Sequence, residues 1–320
     1  MKSMSSSLKL IILLVLSIFS SIFFMFYNVN FKFFEFAMSI RVPKLLAMLL
    51  CAYCIGVATL IFQTIIKNTI VTPCLLGMNS LYLLIHTAAV FFLGSSSFLV
   101  VNKFVNFAID LVLMAFIATF VYSYLFKITR YNVLYVLLAG TVMSTFFLSF
   151  QNSIVRIMDP NEYDTLLSSL VASFNNVNSD ILFMAIVITA ILSFIYYKDL
   201  TLLDVLSLGK EQAINLGVDY DKSIKRLLLG ITLFIAVATA LVGPISFLGL
   251  IIANLSRGLF KTYKHSYLIL GSILFGVIIL VIAQSITEHV FVLSVPISVF
   301  ISVIGGLYFM YLLIISKGKL

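Results

Sequence analysis

The sequence predicts an all-α polytopic membrane protein with about ten transmembrane helices, and three observations predict it. Apolar residues fill 62% of its 320 positions, mean hydropathy is +1.19 and only 10% of residues are charged. A soluble chain of this length has no core large enough to bury that much apolar surface. The apolar residues fall in runs of about 20, the length that crosses ~30 Å of hydrocarbon at ~1.5 Å per residue. Finally, Lys and Arg alternate between successive loops, as repeated threading of a bilayer requires.

The first run, 8–27, follows Lys2 and Lys9 and has the outline of a secretory signal. No small-x-small cleavage site follows Tyr27 and nine further runs do, so it reads as a retained helix. The second run, 43–66, opens at Arg41-Val-Pro-Lys44 and is followed by 74–93, 104–126 and 132–154. Next comes a polar stretch, 159–178, whose apolar stripe of Tyr163, Leu166, Leu167, Leu170 and Phe174 predicts a partly inserted amphipathic helix. After the sixth run, 180–197, a polar segment at about 199–222 carries LSLGKEQAINLGV from Leu206 to Val218. Four more runs close the chain, at 224–242, 245–260, 266–287 and 295–315.

With the N-terminus inside, fifteen of the 20 basic residues fall on inner loops and five, Lys32, Arg41, Lys44, Lys103 and Arg156, on outer ones. That bias predicts an even number of spans with both termini cytoplasmic. The net charge of +8 is therefore a topology signal, spread over four inner loops and the two tails, and nucleic acid is a poor explanation for it. Small residues four apart, Ala52 with Gly56, Ala236 with Ala240, and Ser298 with Ser302 and Gly306, predict close helix packing. Cys51, Cys54 and Cys74 lie in or beside spans with no companion ligands, so they read as packing residues with no metal or cofactor chemistry.

Enzymatic patterns are missing. The chain has no Gly-x-x-x-x-Gly-Lys-Ser/Thr phosphate loop, no His-Glu-x-x-His and no Gly-x-Ser-x-Gly elbow, and its three histidines, His86, His265 and His289, sit on different segments. ATP-driven transport would thus need a separate ATPase. An ion-coupled secondary transporter would need a buried titrating group, for which Asp110 and His86 are the only candidates. Gln63, Asn79, His86, Asp110, Ser144, Gln151 and Gln284 are the polar residues inside spans and so the candidates for a polar translocation path. Most such side chains bond to a neighbouring helix instead, and Asp110 and His86 read that way first.

A set of short motifs, in register with the ten spans, resembles the FecCD/BtuC-type permeases of ABC importers for iron–siderophores, haem and cobalamin. They are Arg41-Val-Pro-Lys44; Gln63 with Asn68 to Pro73 and Leu76-Gly77; Leu138-Ala-Gly140; Leu208-Gly209 to Leu216-Gly217-Val218; Gly243-Pro-Ile-Ser-Phe-Leu-Gly-Leu250 with Arg257; and Pro296 with Gly305. The resemblance covers about 40–315 and implies a non-catalytic type II importer permease, a single transmembrane domain over 1–320 in a bacterial plasma membrane, without cofactor. Implied partners are an ATPase dimer below, a substrate-binding lipoprotein above, membrane lipid around it and a second permease subunit beside it.

On this chain Leu208, Gly209, Lys210, Glu211, Asn215 and Gly217 match the family's cytoplasmic coupling helices. Lys210, Glu211 and Asn215 would face the ATPase while Leu208, Ala213, Ile214 and Leu216 pack on the bundle. Arg41 and Lys44 match the outer basic positions that meet the binding protein, and 159–178 matches an outer gate helix. Glu288, beside His289, reverses a docking charge that some members carry, which favours a non-identical second permease. Thr69, Ala253-Asn254, Ser294 and Ser298 also depart from the pattern, and Ala253-Asn254-Leu-Ser-Arg257 resembles a subgroup serving catechol-type siderophores. An iron–siderophore is the substrate expected; haem or cobalamin import is the alternative within the family, and an ion-coupled carrier the alternative outside it.

Overall fold

The structure is a computed structural model in which residues 5–129, 133–175 and 177–317 are described. All regular elements among them are helical. In chain order they are α1 (Ser6–Phe26), α2 (Phe34–Ile66), α3 (Met78–Leu93), α4 (Phe98–Val101), α5 (Lys103–Ile128), α6 (Val133–Ile157) and α7 (Pro160–Leu170). Then follow α8 (Ser179–Thr201), α9 (Leu203–Leu206), α10 (Lys210–Asn215), α11 (Tyr220–Val242), α12 (Leu248–Phe260), α13 (His265–His289) and α14 (Ile297–Lys317). Ten of them, α1, α2, α3, α5, α6, α8, α11, α12, α13 and α14, fall on the ten predicted runs.

Two of the predicted boundaries need correction. The second helix begins at Phe34, about two and a half turns before 43, so Arg41, Pro43 and Lys44 lie inside it. Phe34 to Val42 carries no breaker, and Glu35 in the first turn suits the helix dipole. Pro43 removes one N–H from the ladder, a loss that a packed membrane helix tolerates. The eighth run is the half-length α12, whose 13 residues span only about 20 Å.

The core is built around α2, against which α11, α13, α12 and α8 pack. In the most apolar stretch of α2, 78% of residues are buried, against 17% in α1, so α1 lies at the periphery against α13. Close approach of α2 and α13 rests on the predicted small residues: a Cβ on Gly276 would lie 2.9 Å from the Cβ of Ala52, and one on Gly56 would lie 3.1 Å from Ser272 Oγ. Bulk at these positions would push the two central helices apart.

Two of the connections between helices lie against each other. Residues 67–77 separate α2 from α3, with Pro73–Leu76 in a 3-10 turn, and residues 243–247 separate α11 from α12. Irregular backbone at membrane depth survives only where protein covers it, and these two stretches cover each other. Asn79 Nδ2 donates to Ser246 Oγ over 3.1 Å, and Cys74 Sγ lies 3.8 Å from the carbonyl of Ile245. Gly243 makes its break possible: its φ is +92°, and a Cβ there would lie 2.9 Å from Ala172 Cα. At that point Ser173 N–H donates to the carbonyl of Val242 over 2.9 Å, which pins residues 171–175 to the end of α11.

Candidate functional site

Side chains tie the helix ends into two opposite groups, one holding most of the basic residues. At that basic end the polar segment predicted from Leu206 to Val218 forms, with the residues just before it, two short helices, α9 and α10, split by Gly209 at φ +115°. A Schellman closure ends α10: Val218 N–H donates to Ala213 O and Gly217 N–H, at φ +81°, to Ile214 O, each over 2.9 Å. Of the four apolar residues predicted to pack on the bundle only Ala213 does so. Leu208, Ile214 and Leu216 are 53, 52 and 62% exposed. The cause is geometric: α10 is under two turns long, and Leu208 and Leu216 flank it rather than extend its stripe. Glu211 and Asn215 are exposed as predicted, whereas the Lys210 ammonium contacts both oxygens of Asp221 at 2.9 and 2.8 Å. The segment thus exposes three large apolar side chains among polar ones, between glycine turns at both ends.

The opposite end gathers three predicted residues into one cluster. The Lys44 ammonium, which is nearly buried, lies 2.7 Å from Glu288 Oε1. Gln284 Nε2 donates to the same oxygen over 2.8 Å and to Asn175 Oδ1 over 2.9 Å, which joins α13 to the stretch after α7. The charge reversal at Glu288 therefore has a partner within the chain. Beside this cluster a cleft of about 290 Å³ is lined by Leu167, Ser173, Asn175, Gln284, Thr287 and Pro296. Arg41 stands apart: its Nη1 donates to the carbonyls of Phe24, Met25 and Tyr27 at 2.7, 3.1 and 2.9 Å, satisfying the end of α1. The predicted amphipathic segment is helical over Pro160–Leu170, with Leu166 and Phe174 buried and Leu167 exposed.

Between the two ends, the remaining path candidates bond within the chain. His86 Nδ1 lies 2.9 Å from Asp110 Oδ2, linking α3 to α5, and Tyr82 stacks on the imidazole. Gln151 Nε2 donates to Thr87 Oγ1 over 3.3 Å, and Ser144 pairs with Ser80 at 2.8 Å. Gln63, buried near the basic end, donates to the carbonyl of Thr69 over 2.7 Å and accepts from Arg257 Nε over 3.3 Å. Thr69 and Asn254, both departures from the family pattern, meet: Asn254 Nδ2 donates to Thr69 O over 2.9 Å. No three His, Cys, Asp or Glu side chains among the described residues converge on a possible metal site. Reasoning from the sequence missed Asp204, His265 and Thr64, which meet at the basic end. His265 and Asp204 lie 61 residues apart and Thr64 lies 201 from His265, and no local pattern marks such a contact.

The FecCD transport family matches residues 7–315. Over 311 residues, 97% of this chain and 98% of the relative, the sequence is 41% identical to the petrobactin import system permease protein YclO of Bacillus subtilis. It is 33% identical over 281 residues, 87% of this chain and 78% of the other, to the petrobactin import system permease protein FatC of Bacillus anthracis. Among solved structures, an inward-facing metal-chelate type ABC transporter superposes with a TM-score of 0.80 over 97% of this chain and 99% of that one, at 22% identity.

Proposed function

The chain belongs to the FecCD transport family, and from that premise we propose that it is the membrane-spanning permease subunit of an ABC importer for an iron–siderophore. Both petrobactin permeases are more than 30% identical to it, so petrobactin is the siderophore proposed. Family membership carries the transport class. The geometric observation that carries the subunit's role is the exposed apolar patch of Leu208, Ile214 and Leu216 on the basic end. A loop in water gains nothing by exposing three large apolar side chains, whereas a docking surface does. The occupant proposed is the ATPase, because a chain with no phosphate loop needs one, and Glu211 and Asn215 stand at the rim of the patch.

In this reading the basic end and both termini face the cytoplasm of a bacterial cell, which the bias of Lys and Arg supports. The substrate-binding protein then docks at the opposite end around Arg41, while Lys44 and Glu288 shape that surface through their own pair. Gln63, His86, Asp110 and Gln284 are buried and bonded within the chain, which supports a passage on a face shared with a second permease subunit rather than through one bundle. Exposed α14 offers such a face, where a Cβ on Gly306 would meet nothing within 4 Å and Ser298 and Ser302 line an open groove. Since Glu288 is matched by Lys44 inside the chain, it does not by itself demand a non-identical partner.

The test is uptake of radiolabelled ferric petrobactin by proteoliposomes holding the permease, its ATPase and its binding protein, with ion gradients collapsed. Transport is expected with internal ATP and should vanish when the ATPase loses its phosphate-loop lysine. Transport that ignores ATP and needs a proton gradient and Asp110 would replace this reading with an ion-coupled carrier.

A further inference from the structure

Ala213 is the one buried side chain of α10 among the described residues, so a push on α10 must reach the bundle through its neighbours. One neighbour is α9, seated by the buried Leu203 and Leu206, and it carries Asp204. Asp204 Oδ1 accepts from the backbone N–H of His265 over 2.8 Å and lies 2.6 Å from His265 Nδ1, so the ring is held at the start of α13. The far ring nitrogen, Nε2, lies 2.9 Å from Thr64 Oγ1 near the end of α2. Thr64 Oγ1 in turn donates to Leu60 O over 2.8 Å and accepts from Arg257 Nη2 of α12 over 3.4 Å. Arg257 continues to Gln63, and Gln63 to the carbonyl of Thr69, which leads into the irregular stretch before α3.

We propose that Asp204, His265 and Thr64 form the relay through which displacement of the coupling segment reaches α13 and α2, with Arg257 and Gln63 carrying it to α12 and residues 67–77. The inference rests on the reading of Leu206 to Val218 as the ATPase contact. Its physical basis is the kind of group involved. Apolar contacts slide, but a buried donor or acceptor that loses its partner bears the full cost of its desolvation, so bonded groups move together. His265 and Thr64 are both buried, and only Asp204, 44% exposed, reaches the surface where the push arrives. These are positioning residues, each acting through the group it bonds to.

Adjacency alone does not establish coupling, so the test measures it. The reconstituted complex described above is assayed for ferric petrobactin moved per ATP hydrolysed. Thr64→Val removes the hydroxyl at nearly constant shape and Thr64→Ser keeps it; Asp204→Ala, the Thr64→Val/Asp204→Ala double and the control Glu211→Lys complete the set. Thr64→Val and Asp204→Ala should each lower the ratio about fivefold or more with ATP hydrolysis retained, and Thr64→Ser should match the wild type. The double variant should fall no further than the worse single, because both remove one linkage. A wild-type ratio for Thr64→Val, losses that add in the double, or a Thr64→Val complex that no longer assembles would overturn the relay. Should Thr64→Val couple normally while Glu211→Lys does not, the relay fails and the segment reading stands. Normal coupling by Glu211→Lys would remove the segment reading, and the relay with it.

Discussion

Removing one member of the Lys44–Glu288 pair should destabilise the subunit far more than removing both. The two charged atoms are 2.7 Å apart and the side chains only 10% and 13% exposed, so the pair sits between the wet and dry limits. Two unit charges 4 Å apart attract by ~4 kcal/mol at an effective dielectric of ~20, against ~1 kcal/mol in water. Desolvation offsets most of that gain, and the intact pair therefore contributes little net stability; a single deletion strands a charge and costs ~3–5 kcal/mol. Glu288→Met belongs at the upper end, because it strands Lys44 and also takes an acceptor from Gln284. Lys44→Met belongs nearer ~3 kcal/mol, since Gln284 still donates to the carboxylate it leaves behind. The Lys44→Met/Glu288→Met double should return to within ~1 kcal/mol of the wild type. The chain has no Trp, so unfolding in sodium dodecyl sulfate is best followed by thiol labelling of Cys51 and Cys54, both fully buried. Single variants costing under ~1 kcal/mol, as exposed pairs do, would refute the reasoning, and so would costs that simply add.

Three further outcomes follow from the same geometry. Gly217→Pro should leave membrane insertion intact but abolish productive coupling, because Gly217 holds φ +81° and its N–H donates to Ile214 O, and proline can do neither; full uptake in a strain dependent on this permease would remove the turn from the coupling surface. Arg41→Glu should slow association of the binding protein most visibly at low salt, since rim charges act through encounter rate and are screened over ~8 Å at physiological salt. Surface plasmon resonance showing an unchanged rate at low ionic strength would reduce Arg41 to the cap of α1. Asp110→Asn should keep most ATP-driven uptake, because the amide oxygen still faces His86 Nδ1; abolished uptake in a stably inserted variant would make the pair part of the transport step.

The fold was legible in the sequence wherever one-dimensional chemistry decides the outcome. Hydrocarbon thickness sets the length of apolar runs, and all ten appear as helices because a run of about 20 apolar residues satisfies its own backbone in lipid only as a helix. Boundaries failed where two local signals conflict. Pro43 beside Arg41 and Lys44 looks like a helix start, yet the helix runs through it, because Arg41 bonds to the end of α1 and Lys44 to Glu288 instead of both reaching for water. The polar segment from Leu206 to Val218 was visible from its glycines and charges, but the direction of its leucines was not, since the φ of Gly209 resets the helix face and no periodicity spans a break. Least legible were the polar contacts. Lys44 meets Glu288 across 244 residues, and Asp204 meets His265 across 61. In lipid a polar side chain must find a partner, but which partner is set by helix packing rather than by sequence spacing. A lone charge in such a sequence therefore signals that a bond exists somewhere in the bundle, and only the fold says where. This is why Glu288 reads from the sequence alone as a reversed docking charge, whereas in the fold Lys44 of the second helix pairs with it.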